Sequence, residues 1–191
     1  MRPPETGLPS HRVPSPARDW ADWLGHSGFA GAETRFREDL ARTPFGVAQE
    51  LPGPVGERNL YATEARGRIW CIAADSNELL HQIGAALGTG NHAVIAAAAL
   101  PRLPAWSAAL AGWVMASSNP EREDVAAILF SGPAATLQQL NQAMADRNGP
   151  IVPIHLAGPD GCYPLEWLVQ ERSVSTNTTA AGGNANLMMI G

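Results

Sequence analysis

The chain's thiols, bases and carboxylates decide what chemistry it can do. It has two cysteines, Cys71 and Cys162, and neither has a second cysteine or a histidine at metal-ligand spacing. Cys71 lies inside the apolar run Arg68-Ile-Trp-Cys-Ile-Ala-Ala74, where a thiol is a small core residue and not an active thiolate. Cys162, in Pro159-Asp-Gly-Cys-Tyr163, is borne on a loop, but no nearby base singles it out as a nucleophile. A Gly-x-Ser-x-Gly elbow is absent. The histidines, His11, His26, His81, His92 and His155, are scattered singly, and each reads as structural or solvent-facing. Glu121-Arg-Glu-Asp124 reads as a solvated loop, not as a catalytic carboxylate pair. All thirteen basic residues are arginine, so neither a Schiff base nor a Walker-type phosphate lysine can form. These residues assign no catalytic group and no metal site.

A nucleotide would bind beyond the carboxyl ends of parallel strands, at a helix N-terminus. After the first strand, however, the turn is Ala74-Asp75-Ser76-Asn77, with a carboxylate where a pyrophosphate would lie. Gly84, Gly88 and Gly90 read as ending a helix, not opening one. Phe130-Ser131-Gly132-Pro133 follows a strand and precedes a helix. A lone glycine there reads first as a tight turn, which leaves Gly132 as the one weak candidate for a cofactor contact.

The elements that carry these residues alternate. Arg68 to Ala74 predicts a strand buried on both faces, and Asp75-Ser-Asn-Glu78 a helix-capping box. Leu79, Leu80, Ile83 and Leu87 then follow at helical spacing. His92 to Ala96 predicts a second strand, Pro104 to Met115 a helix, and Asp124 to Phe130 a third strand. A helix over Ala135 to Arg147 precedes a fourth strand, Ile151 to His155. The alternation predicts an α/β fold, a parallel sheet covered on both faces by helices. Upstream, residues 1–18 are Pro-rich and read as a disordered lead-in. Residues 19–58 read as a helical linker, with helix around Trp20 to Trp23 and Glu33 to Ala41. The core domain is expected over 59–164, and 165–191 as a strand-bearing appendage.

The hydrophobic content is 45% and the net charge −5, so the chain folds but offers no broad phosphate-tracking surface, and nucleic acid is not an expected partner. The N-terminus lacks an apolar signal core, and two isolated cysteines suit a reduced, cytoplasmic setting. The most apolar stretch, Ala93 to Met115, is split by Pro101, Arg102 and Pro104 into pieces too short to span a bilayer.

The last nineteen residues, Ser173 to Gly191, stand apart. Ser, Thr and Asn supply local hydrogen bonds, Gly182-Gly183 permits a close turn, and Leu187-Met-Met-Ile190 needs burial. Trp167-Leu168-Val169 upstream can begin a strand that carries this segment outward, so it reads as a docking element.

The run Glu171-Arg-Ser-Val-Ser-Thr-Asn-Thr-Thr-Ala-Ala-Gly-Gly-Asn-Ala-Asn-Leu-Met-Met-Ile-Gly191 closely resembles the C-terminal motif of the proline utilization A (PutA) family, bifunctional enzymes that oxidise proline to glutamate. Gly53-Pro-Val-Gly-Glu-Arg-Asn-Leu-Tyr61 and Arg66-Gly-Arg-Ile-Trp-Cys-Ile72 resemble the beginning of the extra C-terminal domain of its longer members. The resemblance covers residues from about Leu51 onward. It implies a Rossmann-like domain of the aldehyde dehydrogenase superfamily with a C-terminal β-flap and no catalytic duty of its own. The parent enzyme uses FAD in a proline dehydrogenase module and NAD in a glutamate-semialdehyde dehydrogenase module, with substrate channelling through a tunnel. Both modules, on the same or a neighbouring polypeptide, are the implied partners, and a homo-oligomer is compatible. The implied tunnel-lid residues are Asn177, Thr178, Gly182, Gly183, Asn184, Asn186, Leu187 and Met188. Gly90-Asn-His-Ala-Val-Ile-Ala-Ala97 resembles the aldehyde dehydrogenase segment Gly-Asn-Thr-Val-Val-x-Lys-Pro, with Ala96 in place of the cofactor-binding lysine. Pro133 likewise replaces the serine of a Phe-Thr-Gly-Ser turn. No cofactor is therefore expected on this chain; the alternative is an NAD-dependent aldehyde dehydrogenase fragment with residual cofactor binding.

Overall fold

Two sheets organise the computed structural model, which describes residues 10–177. Along the chain, β1 (Ser10–His11) leads into α1 (Ala17–His26) and α2 (Ala30–Ala41), followed by β2 (Val47–Leu51) and β3 (Glu57–Ala65). The alternating part comprises β4 (Arg68–Ala73), α3 (Ser76–Gly88), β5 (His92–Ala96), β6 (Val114–Ser117), β7 (Ala127–Ser131), α4 (Ala134–Ala145) and β8 (Ile154–Leu156), and β9 (Val169–Asn177) closes the described chain.

The parallel sheet runs β6-β5-β4-β7-β8. Its first strand is central, and the winding reverses between β4 and β7, as in doubly wound α/β folds. The apolar run of β4 and the cap of α3 form as the sequence predicts: Asp75 Oδ1 accepts the Glu78 N–H at 2.9 Å, and Leu79, Leu80, Ile83 and Leu87 are buried. The helix expected over Pro104 to Met115 is not there. Ala97–Arg102 forms a 3-10 turn and Val114–Ser117 pairs with β5 as the fifth strand. Gly112 and the β-branched Val114 weaken a helix at its end, and Val114 to Ser117 gains ladder pairing with β5 instead.

Coverage of the sheet is also uneven. Ile69, Cys71, Ala93, Ile95, Ala127 and Leu129 face the main core beneath α3. On the other face Val94, Ile128 and Phe130 are buried, but Trp70 and Ile72 stay half-exposed. There α4 has no fully buried residue, so the expected two-sided cover is only partial.

The region read as a linker is part of the core. Trp20, Trp23, Leu24 and Phe36 are buried, and Trp20 stacks on Trp23 with centroids 4.9 Å apart. The Trp23 indole N–H donates to the Ala105 carbonyl at 3.0 Å. Gly84 lies mid-helix instead of ending one. A Cβ there would lie 3.1 Å from Phe36 and 3.2 Å from the Trp20 ring nitrogen, so its missing side chain lets α1 and α2 close onto α3. Gly88 does end α3, and Gly90 takes the positive φ of the turn. The lead-in is not wholly disordered either: Ser10–His11 pairs with β2, and Pro14 and Pro16 are buried. Residues 1–9 lie outside the described residues.

The second sheet is antiparallel, in the order β1-β2-β3-β9. Its long member is the β3·β9 ribbon, paired over nine residues from Ala65↔Val169 to Glu57↔Asn177. Among the described residues no helix is long and apolar enough to cross a membrane.

Candidate functional site

The β3·β9 ribbon is a flap. After Val169, every residue of β9 is exposed, and β9 is the terminal strand of its sheet, so its outer edge has no strand partner among the described residues. Such an edge presents backbone donors and acceptors to whatever docks beside it. Tyr61 donates to Glu171 at 3.0 Å and Arg172 bonds Glu64 at 3.2 Å, cross-links that stiffen the ribbon. Leu60 and Val174 face each other in register and both are exposed, an apolar spot on a polar ribbon. Asn177 stands at the far end, opposite Glu57.

The root of the flap is held by one buried amide. Asn91 Oδ1 accepts the Gly67 N–H at 2.8 Å, and its Nδ2 donates to the Leu168 carbonyl at 2.8 Å. Asn91 thus ties the turn before β4 to the residue before β9. Arg66 donates to the Trp167 carbonyl at 2.8 Å, and Trp167 meets the buried His155 ring edge-on at 5.0 Å.

At the carboxyl end of the parallel sheet, the β4–α3 turn does not fit a pyrophosphate. The Asp75 carboxylate takes the helix N–H that an anion would need, and the Arg102 guanidinium lies on the Ala74 carbonyl at 2.8 Å and the Ala73 carbonyl at 3.3 Å. Gly132 is exposed and has no positive φ. A Cβ there would come within 2.9 Å of the Phe130 ring, so the turn itself accounts for the glycine.

A cavity of about 490 Å³ opens between α2 and the start of α3, lined by Phe29, Arg35, Asp39, Asp75, Glu78 and His81 among others. Beneath it, His81 Nε2 lies 3.0 Å from Asp39 Oδ2, and Arg42 bonds Asp39 Oδ1 at 2.6 Å. Burial pushes the Asp39 carboxyl up, but the bonds from His81 and Arg42 outweigh it and hold the group below its ordinary value. For His81, burial works against the charge, and Asp39 and Glu78 outweigh it, so its pKa is raised. His81 Nδ1 stands 3.9 Å from Glu78 Oε1, an electrostatic contact beyond hydrogen-bond reach. The Tyr163 hydroxyl donates to Glu78 at 2.6 Å and takes a bond from Gln82 at 2.8 Å. Burial, then the Glu78 carboxylate, pushes the phenol up, so it stays neutral. Arg35 reaches the Gly161 carbonyl. Among the described residues no Cys, Ser, Thr or Lys lines this cavity, so it offers carboxylates, an imidazole and a guanidinium but no thiol, hydroxyl or amine nucleophile. Cys71 is buried and its thiol is pushed up by burial.

No protein-family model matches the chain. The PutA protein of Rhizobium meliloti is 40% identical over 187 residues, which cover 91% of this chain and 15% of that protein. The PutA of Salmonella typhimurium is 38% identical over 159 residues, 80% of this chain and 12% of that protein. Among solved structures, the proline utilization A of Bradyrhizobium japonicum matches with a TM-score of 0.51 at 23% identity over 74% of this chain and 17% of that one. The chain fits a C-terminal aldehyde-dehydrogenase-like domain of PutA. A Staphylococcus aureus AldH structure matches in fold, with a TM-score of 0.53 at 12% identity over 74% of this chain and 40% of that one. The PutA-like chain spans only 11–15% of the length of the curated proteins it matches.

Of the implied lid residues in this PutA-like domain, Asn177 falls on the flap. Thr178, Gly182, Gly183, Asn184, Asn186, Leu187 and Met188 lie outside the described residues. Two groups that residue types alone did not single out prove central. Asn91 stands in sequence only as the second residue of the run 90–97, with nothing to mark it as a tie between distant turns. His81 has Glu78 three residues before it in sequence, but its main partner, Asp39, is 42 residues away. Among the described residues no cluster of three ligating side chains could hold a metal.

Proposed function

We propose that this chain is a noncatalytic domain of a PutA-type bifunctional enzyme of proline catabolism. It supports the glutamate-semialdehyde dehydrogenase module and covers the tunnel through which the intermediate passes, on the same or a neighbouring polypeptide. In this reading 165–191 form the flap and docking motif, β3 (Glu57–Ala65) is the flap's second strand, and the rest of 59–164, from β4 onward, forms the Rossmann-like domain. The observation that carries the reading is the exposed β3·β9 ribbon, whose strand β9 is the terminal one of its sheet among the described residues and leads in sequence into the candidate docking segment. A strand edge supplies main-chain bonds, and Leu187 to Ile190 supply apolar surface to bury. A lid that excludes water also retains a reactive intermediate.

Deleting residues 182–191 in the whole bifunctional polypeptide is expected to lower coupled proline-to-NADH flux roughly tenfold at limiting proline, because the intermediate loses its high local concentration. Proline oxidation measured alone with an artificial acceptor should be unchanged. Equal coupled flux and equal transit time in the deletion and the parent would refute the lid.

One observation favours the second reading, a fragment with residual NAD binding: the N-terminus of α4, just after Gly132, has no side-chain cap, and uncapped helix ends attract anions. Calorimetric titration with NAD is expected to give no saturable heat. A saturable isotherm would replace the scaffold reading with the cofactor-binding one.

A further inference from the structure

At the opposite end of the parallel sheet, where the strands begin, a cleft of about 620 Å³ lies between the flap root and the sheet. Arg66 reaches it from the turn between β3 and β4, Arg68 from the start of β4, and Arg147 from the segment after α4. Arg68 shares its charge with Glu123 at 3.4 Å. Arg66 and Arg147 bond only neutral acceptors among the described residues: Arg66 the Trp167 carbonyl, Arg147 the Glu123 carbonyl at 3.2 Å and the Met144 sulfur at 3.9 Å. Asp124 is the one carboxylate among the described residues that line the cleft, and Glu123 beside it pairs with Arg68, so three guanidiniums meet two opposing charges. In a chain of net charge −5 this is a local reversal of sign, gathered from three separate stretches of sequence.

We propose that this cleft binds a small, multiply charged oxyanion, a di- or tricarboxylate or a phosphate ester. The cleft has the size of small-molecule sites, and guanidinium forks match the paired oxygens of both groups. Such a ligand bridges the two sheets. Arg66 belongs to the flap root, whereas Arg68 and Arg147 belong to the Rossmann-like body, so an anion between them steadies the flap on the body. The site lies at the strand N-termini, away from the carboxyl edge where dinucleotides bind, and it does not depend on the lid reading.

The test is calorimetry on the full chain at constant ionic strength, with inorganic phosphate and citrate titrated separately and chloride as the control. Saturable binding of either anion is expected, weakened about tenfold by Arg147→Gln and by Arg66→Gln. Arg66 is exposed and its variant gives up the bond to the Trp167 carbonyl, so it should stay folded, with a thermal midpoint within about 5 °C of the parent's in ligand-free buffer. Stronger binding of phosphate assigns a phosphate ester, and stronger binding of citrate assigns a polycarboxylate. No saturable heat from either anion at about 10 mM, or equal affinity in parent and folded variants, would overturn the proposal.

Discussion

Replacing Asp39 with alanine is expected to destabilise the domain by about 3–5 kcal/mol near pH 5, the range for breaking a buried ion pair and leaving its partner behind. Both side chains of the pair are 4% exposed. Removing the carboxylate strands the His81 imidazole beside Arg35 and Arg42, with only Glu78 at 3.9 Å to answer its charge. The wild-type pH profile follows from the two shifts. Asp39 titrates below its ordinary 3.8, so its stabilisation is present above pH 3.8 and is lost as pH falls through the lowered value. His81 titrates above its ordinary 6.5, so its contribution is complete below pH 6.5 and is lost as pH rises through the raised value. The pair therefore stabilises most between pH 3.8 and 6.5, and the cost of Asp39→Ala should shrink at higher pH. Urea unfolding across a pH series reads both limbs. A cost that stays constant from pH 5 to pH 9 would show that the charge on His81 contributes nothing.

Trp20→Ala is expected to cost about 3–5 kcal/mol, the range for emptying a large aromatic site in a core. In a chain of this length that lowers the thermal midpoint by on the order of 10 °C. Trp20 is 0% exposed, stacks on Trp23 and lies against Gly84, so its loss loosens α1 from both α3 and the Ala105 segment. Thermal unfolding followed by near-ultraviolet circular dichroism measures the shift and the loss of the coupled indole signal. A shift of only about 1 °C would mean that α1 and α2 are not part of the cooperative unit, and residues 19–58 would again be a linker.

Much of the sheet and its main helix was legible from residue order. β4 and β5 are apolar after their first residues, Arg68 and His92, and α3 begins where an Asp stands three residues before a Glu. These signals are local, since a cap and an apolar run are written in consecutive residues. β6 was not legible, because Val114 to Ser117 follows a long alanine-rich stretch that reads equally well as helix. The candidate docking segment was conspicuous for its composition, and the flap that leads into it has a polar, exposed strand whose pairing with Glu57–Ala65 nothing local announces.

Residue types alone excluded lysine chemistry, a serine elbow and a glycine-rich dinucleotide turn, and they marked an α/β chain and a terminal segment proposed to dock. Only packing decided that Trp20 and Phe36 belong to the core, that Asn91 roots the flap, that Asp39 meets His81, and that Arg66, Arg68 and Arg147 share one cleft. Composition and spacing govern what forms within a turn of helix or a length of strand. Burial, ion pairing and converging charge depend on residues tens of positions apart meeting in space, and the tertiary fold alone brings them together.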